Sequence, residues 1–343
     1  TSLAIADGEV LFSKAFFYLL KYVEYFIIYF LATNIIKTKK QVVIYILCFF
    51  ITAIIVNIHG YSLLGRVDRL YAPFDAPHTV IGGVATGAGE SNTYGGYLVL
   101  IISLALGLFC YLDGNILLGL GIFIIFSLIP LAYTLSRSSY LAFVVMFFTT
   151  IFFTEKKRMF LIAIMSLVIV LIPVFIPKVV KTVKDRIEET LVGPVYSDKE
   201  FEVMGIKIRE LSALARVDAW QRAFVKFIPN RPILGHGVTG VGLVDTQIPL
   251  IIGEVGLIGL SVFFWILFTI YKESFLIFKT VNDKIYKALS LFLITTLTAL
   301  LVQSVAANTF IIIRIMEPFW FLCGMVMVLS NLEKEEQNYI KNV

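Results

Sequence analysis

Residues 93–134 have the sequence TYGGYLVLIISLALGLFCYLDGNILLGLGIFIIFSLIPLAYT, in which two apolar runs, 93–112 and 115–134, flank Asp113-Gly114. A transmembrane helix needs about twenty mainly apolar residues, so each run is long enough to span a bilayer. The whole chain has the same character: 59% of its 343 residues are hydrophobic, 15% are charged and the mean hydropathy is +0.89. Soluble domains are about half apolar and a quarter charged, so this composition indicates a protein of the bilayer.

The same length criterion predicts nine transmembrane helices. We place them at 15–36, 41–58, 93–112, 115–134, 138–154, 159–177, 246–271, 285–307 and 310–331. We therefore expect an all-α fold, a polytopic transmembrane helical bundle that forms a single transmembrane domain over residues 1–343. Within it, residues 178–245 are expected to form one large extracytoplasmic loop.

Basic residues between the predicted spans set the orientation, because cytoplasmic loops carry an excess of Lys and Arg. They cluster in the loops after the first, fifth and seventh spans, at Lys37, Lys39, Lys40, Lys156, Lys157, Arg158, Lys272, Lys279, Lys284 and Lys287. These three loops fall on one side of a nine-span arrangement, which makes that side cytoplasmic. The long connections 59–92 and 178–245 and Thr1 are then extracytoplasmic. Since the chain begins with Thr1 rather than Met, we expect an N-terminal part with an odd number of spans, about three, so that the natural protein has about twelve.

Cysteine and histidine usage gives no support to a metal site or a cofactor. The three cysteines, Cys48, Cys110 and Cys323, lie in or at the edge of apolar runs without CxxC spacing, which is typical of buried small hydrophobic side chains. The three histidines form no HExxH motif. We expect no metal ligand and no cofactor.

The segment 178–245 is strongly basic for a loop between two spans. Its cations are Lys178, Lys181, Lys184, Arg186, Lys199, Lys207, Arg209, Arg216, Arg222, Lys226 and Arg231. Apolar residues recur with helical periodicity over Gly205–Ile228, which predicts an amphipathic helix at the membrane surface with Arg209, Arg216 and Trp220 on one face. Two interpretations stay open: a helix anchored to anionic headgroups, or a clamp for a pyrophosphate-linked lipid, for which the planar fork of arginine is suited.

Arg137 lies in Leu135-Ser136-Arg137-Ser138-Ser139, where the fourth predicted span ends and the fifth begins. Arginine at bilayer depth is costly and often marks a functional path, although an interfacial anchor is the simpler alternative. Arg314 and Glu317, like Lys21 and Glu24, have the i,i+3 spacing of a structural ion pair.

Asp245 and Glu254 lie on either side of the start of the seventh predicted span. Either carboxylate could act as a general base, although each is more often a capping or packing group. Asp245 is the stronger candidate because it precedes a helix at the outer surface.

Taken in order, these residues resemble the O-antigen ligase and polymerase superfamily, membrane glycosyltransferases that use polyprenyl-diphosphate-linked glycans. The resemblance covers most of the chain and is densest from Asn92 to Gly259. Its segments are Asn92-Thr93-Tyr94-Gly95-Gly96-Tyr97-Leu98, Leu135-Ser136-Arg137-Ser138, Arg216-Val217-Asp218-Ala219-Trp220, Pro232-Ile233-Leu234-Gly235-His236-Gly237 and Glu254-Val255-Gly256-Leu257-Ile258-Gly259. Each segment is weak alone, but the ordered set is specific.

The resemblance implies a metal-independent, inverting transfer at the outer face of the cytoplasmic membrane. By position, Arg137 and Arg216 would bind the diphosphate and Asp245 would be the base. The implied substrate-binding residues are Arg209, Trp220, Arg222, Asn92, Arg314 and Glu254. The implied partners are an undecaprenyl (polyprenyl) diphosphate-linked glycan donor, a glycan or lipid acceptor, and membrane lipids, with no nucleic acid.

One position departs from the pattern. Ligases of the family usually have a histidine nine residues before the Glu-x-Gly motif, where this chain has Asp245. His236, in the Gly-x-Gly turn, is expected to be structural. The departure favours a polymerase-like enzyme, with a ligase that moves finished glycan onto a lipid or wall acceptor as the alternative.

Two interpretations outside this class stay open as well. One is a lipid-linked glycan transporter or flippase, although no internal repeat supports it. The other is a non-catalytic partner in a cell-envelope complex.

Overall fold

The computed structural model describes residues 12–67, 69–73, 80–81, 84–85, 90–154, 157–163, 166, 201–203, 206–208, 211–242 and 244–342. Nine helices of more than ten residues occur in these ranges. They are α1 (Phe12–Ile35), α2 (Lys39–Leu63), α3 (Ser91–Tyr111), α4 (Ile116–Tyr133), α5 (Arg137–Phe153), α6 (Leu211–Arg222), α7 (Gln247–Thr280), α8 (Lys284–Ser304) and α9 (Ile313–Asn342).

The remaining regular elements are short. A π-helical turn, Ala223–Phe227, and a helical stretch, Ile228–Asn230, continue α6, and a 3-10 turn, Thr309–Ile311, precedes α9. Two antiparallel hairpins pair β1 (Val80–Ile81) with β2 (Val84–Ala85) and β3 (Phe201–Val203) with β4 (Ile206–Ile208). The fold is thus an all-α, polytopic helical bundle, as the sequence predicted.

Seven of the described helices, α1, α2, α3, α4, α7, α8 and α9, are long and apolar enough to cross a membrane. They correspond to seven of the nine predicted spans. The predicted span 138–154 is the shorter apolar helix α5, which has 17 residues. The described part of the predicted span 159–177 is helical, and the rest lies outside the described residues.

The prediction of a helix over Gly205–Ile228 is wrong at its start. Ile206–Ile208 is a strand, with Ile206 paired to Val203, and the helix begins only at Leu211. The β-branched residues on both sides of Met204-Gly205 explain the difference, because two such runs joined by two residues with glycine favour a hairpin.

The chain divides into two compact units. The loop unit comprises Thr1–Lys21, Met159–Trp265 and Ser304–Asn308, and the helical unit comprises Tyr22–Arg158, Ile266–Gln303 and Thr309–Val343.

In the helical unit, α3 forms the centre, since almost all of its side chains are buried. It packs antiparallel to α8 through small residues. A Cβ on Gly107 would lie 2.7 Å from the carbonyl oxygen of Ala288, and Ser103 Oγ lies 2.7 Å from Thr295 Oγ1. Small residues let two membrane helices approach closely, so these positions set the distance between α3 and α8.

One end of the helical unit is tied together by charged side chains. The contacts are the ion pairs Lys39–Asp283, Lys284–Asp113 (2.7 Å) and Lys157–Asp113 (3.9 Å), and the hydrogen bond from Asp283 N to Glu333 Oε1 (2.7 Å). All of these residues belong to segments that the nine-span arrangement places on the cytoplasmic side. Segments that the nine-span arrangement places on the same side of the membrane therefore lie together in the structure.

Candidate active site

In the helical unit, the candidate site is the turn between α4 and α5, which carries Arg137. Leu135 has a φ of 50°, a left-handed conformation that costs a residue with a side chain about 1 kcal/mol or more. Arg69 holds this turn: its Nε donates to Thr134 O (3.1 Å) and its Nη2 to Leu135 O (3.4 Å). Leu70 N donates to Tyr133 O (3.0 Å). Contacts with a distant loop thus fix a strained turn directly before Arg137.

Ser136 is the N-cap of α5, so Arg137 is the first residue of the helix. The Ser136 side chain accepts a hydrogen bond from Ser139 N (3.3 Å) and donates one to Asn92 Oδ1 (2.7 Å). A cation at a helix N-terminus is unfavourable with respect to the helix dipole, whereas an anion there is stabilised. A partly exposed arginine at this position therefore suits an anionic ligand better than it suits the helix.

Asn92 connects α3 to this turn. Its Oδ1 accepts from Ser136 and more weakly from Ser138 (3.4 Å), while its Nδ2 makes no hydrogen bond with any residue that the structure describes. Gln303 of α8 reaches the same place, with Nε2 3.0 Å from Ser139 Oγ and 3.1 Å from Asn92 O. The sequence did indicate Asn92 and Arg137, and the structure brings the turn and Asn92 together.

Arg314 lies at the start of α9 and is partly exposed. Its predicted partner Glu317 lies close to Glu24 of α1. The ion pair between Arg314 and Glu317 stays a prediction, as does its counterpart between Lys21 and Glu24.

In the loop unit, α6 carries three of the candidate residues. Arg216 and Trp220 are partly exposed, and Arg222 pairs with Asp218 one turn earlier (2.8 Å). Trp220 Nε1 donates to Val305 O (3.4 Å), and the indole stacks on Phe224 at 6.1 Å between ring centroids. The Trp220 side chain is therefore contacted at its ring nitrogen and at one face of the indole. Arg209 lies outside the described residues.

The membrane helix α7 is broken at Gly256, whose φ of 67° and ψ of −167° are not helical. The loop 232–237 satisfies the backbone groups that the break frees: Leu257 N donates to Pro232 O (2.8 Å), and His236 N donates to Gly253 O (2.8 Å). Gly237 N likewise donates to the carbonyl oxygen of Glu254 (2.9 Å). In a membrane, irregular backbone is tolerated only where such partners exist, so the loop and the break form one structural feature.

The two candidate carboxylates have different surroundings. Glu254, directly before the break, is buried with 6% of its surface exposed, and its Oε1 accepts from Thr239 N (2.7 Å). Asp245 is exposed in the bend before α7, and its side chain makes no hydrogen bond with the described residues. Glu254 is thus placed to anchor a loop, and Asp245 is placed to meet a ligand.

His236 has an arrangement that the sequence did not reveal. Its Nδ1 lies 3.2 Å from Gly253 O, and since a carbonyl only accepts, Nδ1 carries the proton. The ring meets Phe227 edge-on at 5.7 Å, and Nε2 has no hydrogen-bond partner among the described residues. The imidazole is therefore oriented, with its basic nitrogen available. No local sequence signal predicts this, because Gly253 is 17 residues away.

Residues 121–254 match the family model of O-antigen ligase. The match begins inside α4, includes the Arg137 turn and α6, and ends at Glu254, so it contains most of the candidate residues. It confirms the resemblance to the O-antigen ligase and polymerase superfamily and supports a multi-pass membrane enzyme of that kind. No curated protein matches the chain, and no solved structure matches it.

Proposed function

We propose that the chain is a glycosyltransferase that polymerises glycan from a polyprenyl-diphosphate-linked donor at the extracytoplasmic face of the cytoplasmic membrane. The observation that carries the proposal is Arg137, which begins α5 on a strained turn held by Arg69, Ser136 and Asn92. A guanidinium carried on a fixed turn at a helix N-terminus is suited to stabilise negative charge that develops on a departing diphosphate.

The reaction is an inverting displacement. The acceptor hydroxyl attacks the anomeric carbon as the bond from that carbon to the diphosphate oxygen breaks. The electron pair leaves on polyprenyl diphosphate, and the hydroxyl proton passes to a base. Arg137 and Arg216 bind the diphosphate in this proposal, with no metal ion, and the exposed Asp245 is the base.

The other candidate residues bind substrate. Asn92 Nδ2, which makes no hydrogen bond with the described residues, can donate to a sugar or phosphate oxygen, and Trp220 presents an indole on which a sugar ring can stack. Arg209, Arg222 and Arg314 add positive charge for the donor. We assign Glu254 to the same site through the loop that it anchors.

The test uses protein reconstituted in liposomes with a polyprenyl-diphosphate-linked oligosaccharide. Released polyprenyl diphosphate and glycan size are measured for the wild type and for Arg137→Lys, Arg216→Ala and Arg66→Ala. We expect Arg137→Lys to slow release about 100-fold, because lysine keeps the charge but loses the fork of donors. The exposed Arg66 is the control, and its removal should leave the rate unchanged. Wild-type protein that releases no polyprenyl diphosphate from an intact donor would refute the proposal.

The family match favours a second candidate, a ligase that moves finished glycan onto a lipid or wall acceptor. The same liposomes separate the two activities. A ladder of longer glycans formed from the donor alone supports the polymerase. Release that occurs only after a second acceptor is added, with that acceptor modified, supports the ligase.

A further inference from the structure

Gln303 is a polar residue in an unfavourable place. It lies near the end of α8, and its side chain is completely buried at 0% exposure. An amide buried without hydrogen bonds costs several kcal/mol, so glutamine there requires partners. Its Nε2 contacts Ser139, two residues after Arg137, and Asn92, which binds the Arg137 turn.

These partners form a directed chain of hydrogen bonds. Gln303 Nε2 donates to Ser139 Oγ (3.0 Å), which lies 2.8 Å from Ser136 Oγ, and Ser136 Oγ donates to Asn92 Oδ1 (2.7 Å). The second Nε2 proton goes to Asn92 O (3.1 Å). Because the single hydroxyl proton of Ser136 goes to Asn92, Ser139 Oγ donates to Ser136 Oγ, which also accepts from Ser139 N, and the chain closes on Asn92 from both directions.

The orientation of the amide follows from these contacts. Asn92 O can only accept, so the NH2 group of Gln303 must face it, and the amide cannot be flipped. Oε1 then points away from this group and has no partner among the described residues. Gln303 acts on the turn as a donor only.

The sequence of α3 leaves room for the chain of hydrogen bonds. A Cβ on Gly95 would lie 2.2 Å from Ser139 Oγ, and a Cβ on Gly96 would lie 2.7 Å from Gln303 Oε1. A larger residue at Gly95 would also meet Ser139 Cβ at 2.6 Å and push α3 away from α5, and one at Gly96 would displace the side chain of Gln303 in α8. The pair Gly95-Gly96 is therefore explained by the close approach of these three helices.

We propose that Gln303 is a positioning residue for Arg137. It fixes the N-cap and first turn of α5 through Ser139 and Asn92, and thereby sets the direction of the guanidinium without touching substrate. The inference rests on the proposed function only in that Arg137 binds diphosphate. It does not require that glycan is transferred.

The test compares Gln303→Leu with Ser103→Ala. Gln303→Leu removes the hydrogen bonds from α8 to Ser139 of α5 and to Asn92 of α3. Ser103→Ala removes a buried hydrogen bond between α3 and Thr295 of α8 that does not touch the Arg137 turn. Two quantities are measured: hydrogen exchange of the amides at 136–140, and the affinity for polyprenyl diphosphate without glycan. We expect Gln303→Leu alone to speed the exchange and to weaken binding about tenfold.

Three outcomes are decisive. Faster exchange and weaker binding in Gln303→Leu but not in Ser103→Ala support the inference, even if the wild type transfers no glycan. Unchanged exchange or unchanged affinity in Gln303→Leu overturns it, even if transfer is established. Should Gln303→Leu fail to fold, Ser139→Ala interrupts the same chain with a smaller change, and equal affinity in that variant and the wild type overturns the inference.

Discussion

At the scale of single residues, Glu254 is a carboxylate whose contacts argue for anchoring rather than chemistry. Its Oε1 accepts from Thr239 N (2.7 Å), and Thr239 has a φ of 65°. Glutamine keeps an acceptor oxygen at this place, whereas alanine leaves the partly buried N–H of Thr239 unpaired, at a cost of about 1 kcal/mol. We expect Glu254→Ala to lower the thermal melting temperature in detergent, and Glu254→Gln to stay close to the wild type in both stability and transfer rate. A Glu254→Gln variant that folds normally but transfers no glycan would show that the charge itself is needed.

The oriented His236 is a second candidate base beside Asp245, and one substitution at each position distinguishes the two. Asp245→Asn removes an exposed carboxylate, and His236→Gln removes Nε2, which has no partner in the described part of the chain, while keeping an amide that can donate to Gly253 O. With Asp245 as the base, we expect Asp245→Asn to reduce kcat about 100-fold or more, because general-base catalysis contributes about that much. His236→Gln should lower kcat by less. The opposite order of the two rates would assign the base to His236.

Sequence reasoning identified the residues that carry unusual chemistry for their position but not those that position them. Arg137 is visible because arginine between two apolar runs is costly. Gln303 is equally unusual within α8, yet its meaning depends on Asn92 and Ser139, which are 211 and 164 residues away. Contacts over such separations leave no periodic signal in the chain.

At the scale of elements, the break in α7 is the feature on which the loop 232–237 depends. The φ and ψ angles of Gly256 lie in a region that is essentially restricted to glycine, and a Cβ there would lie 2.3 Å from Ile233 O. We expect Gly256→Ala to destabilise the protein by about 3 kcal/mol or more, measured as a lower melting temperature and a lower yield of folded protein.

The control is Gly119→Ala in α4, where nothing lies within 4 Å of the added Cβ. Alanine is the better helix former by about 1 kcal/mol, so this variant should be as stable as the wild type or more stable. A Gly256→Ala protein that melts like Gly119→Ala would mean that α7 can form a continuous helix at this point.

The sequence predicted α7 as a helix but not its break. Apart from Glu254, the run from Leu250 to Leu260 is apolar, and glycines are common in membrane helices, so the pattern does not distinguish a continuous helix from a broken one. The difference is decided by the loop 232–237, which supplies the hydrogen bonds that the broken helix lacks. The same limitation applies to the hairpin of β3 and β4, because its second strand fits both the helical periodicity and the residue preferences of a strand.

At the scale of the whole molecule, the bilayer makes most of the helical fold predictable. A span must be apolar for about twenty residues, so helices such as α2, α3, α4 and α8 can be located within a few residues from hydropathy alone. Hydropathy does not fix where a helix ends beyond its apolar span. The helix α7 continues to Thr280, nine residues beyond the predicted end, and α9 begins only after a 3-10 turn. The charges that follow the spans, by contrast, meet in ion pairs at one end of the helical unit, while the side of the membrane on which that end lies stays a prediction.

That orientation can be tested by labelling single added cysteines. The nine-span arrangement places Arg66 outside and Asn115 in the cytoplasm, and both side chains are exposed. We expect a charged, membrane-impermeant maleimide to label Arg66→Cys in intact cells and Asn115→Cys only after lysis. The native cysteines provide the background: Cys110 and Cys323 are buried, and Cys48 lies within α2, where a charged reagent does not partition. Labelling of Asn115→Cys in intact cells, with Arg66→Cys protected, would invert the orientation and place the Arg137 turn in the cytoplasm, where the proposed extracytoplasmic transfer could not occur.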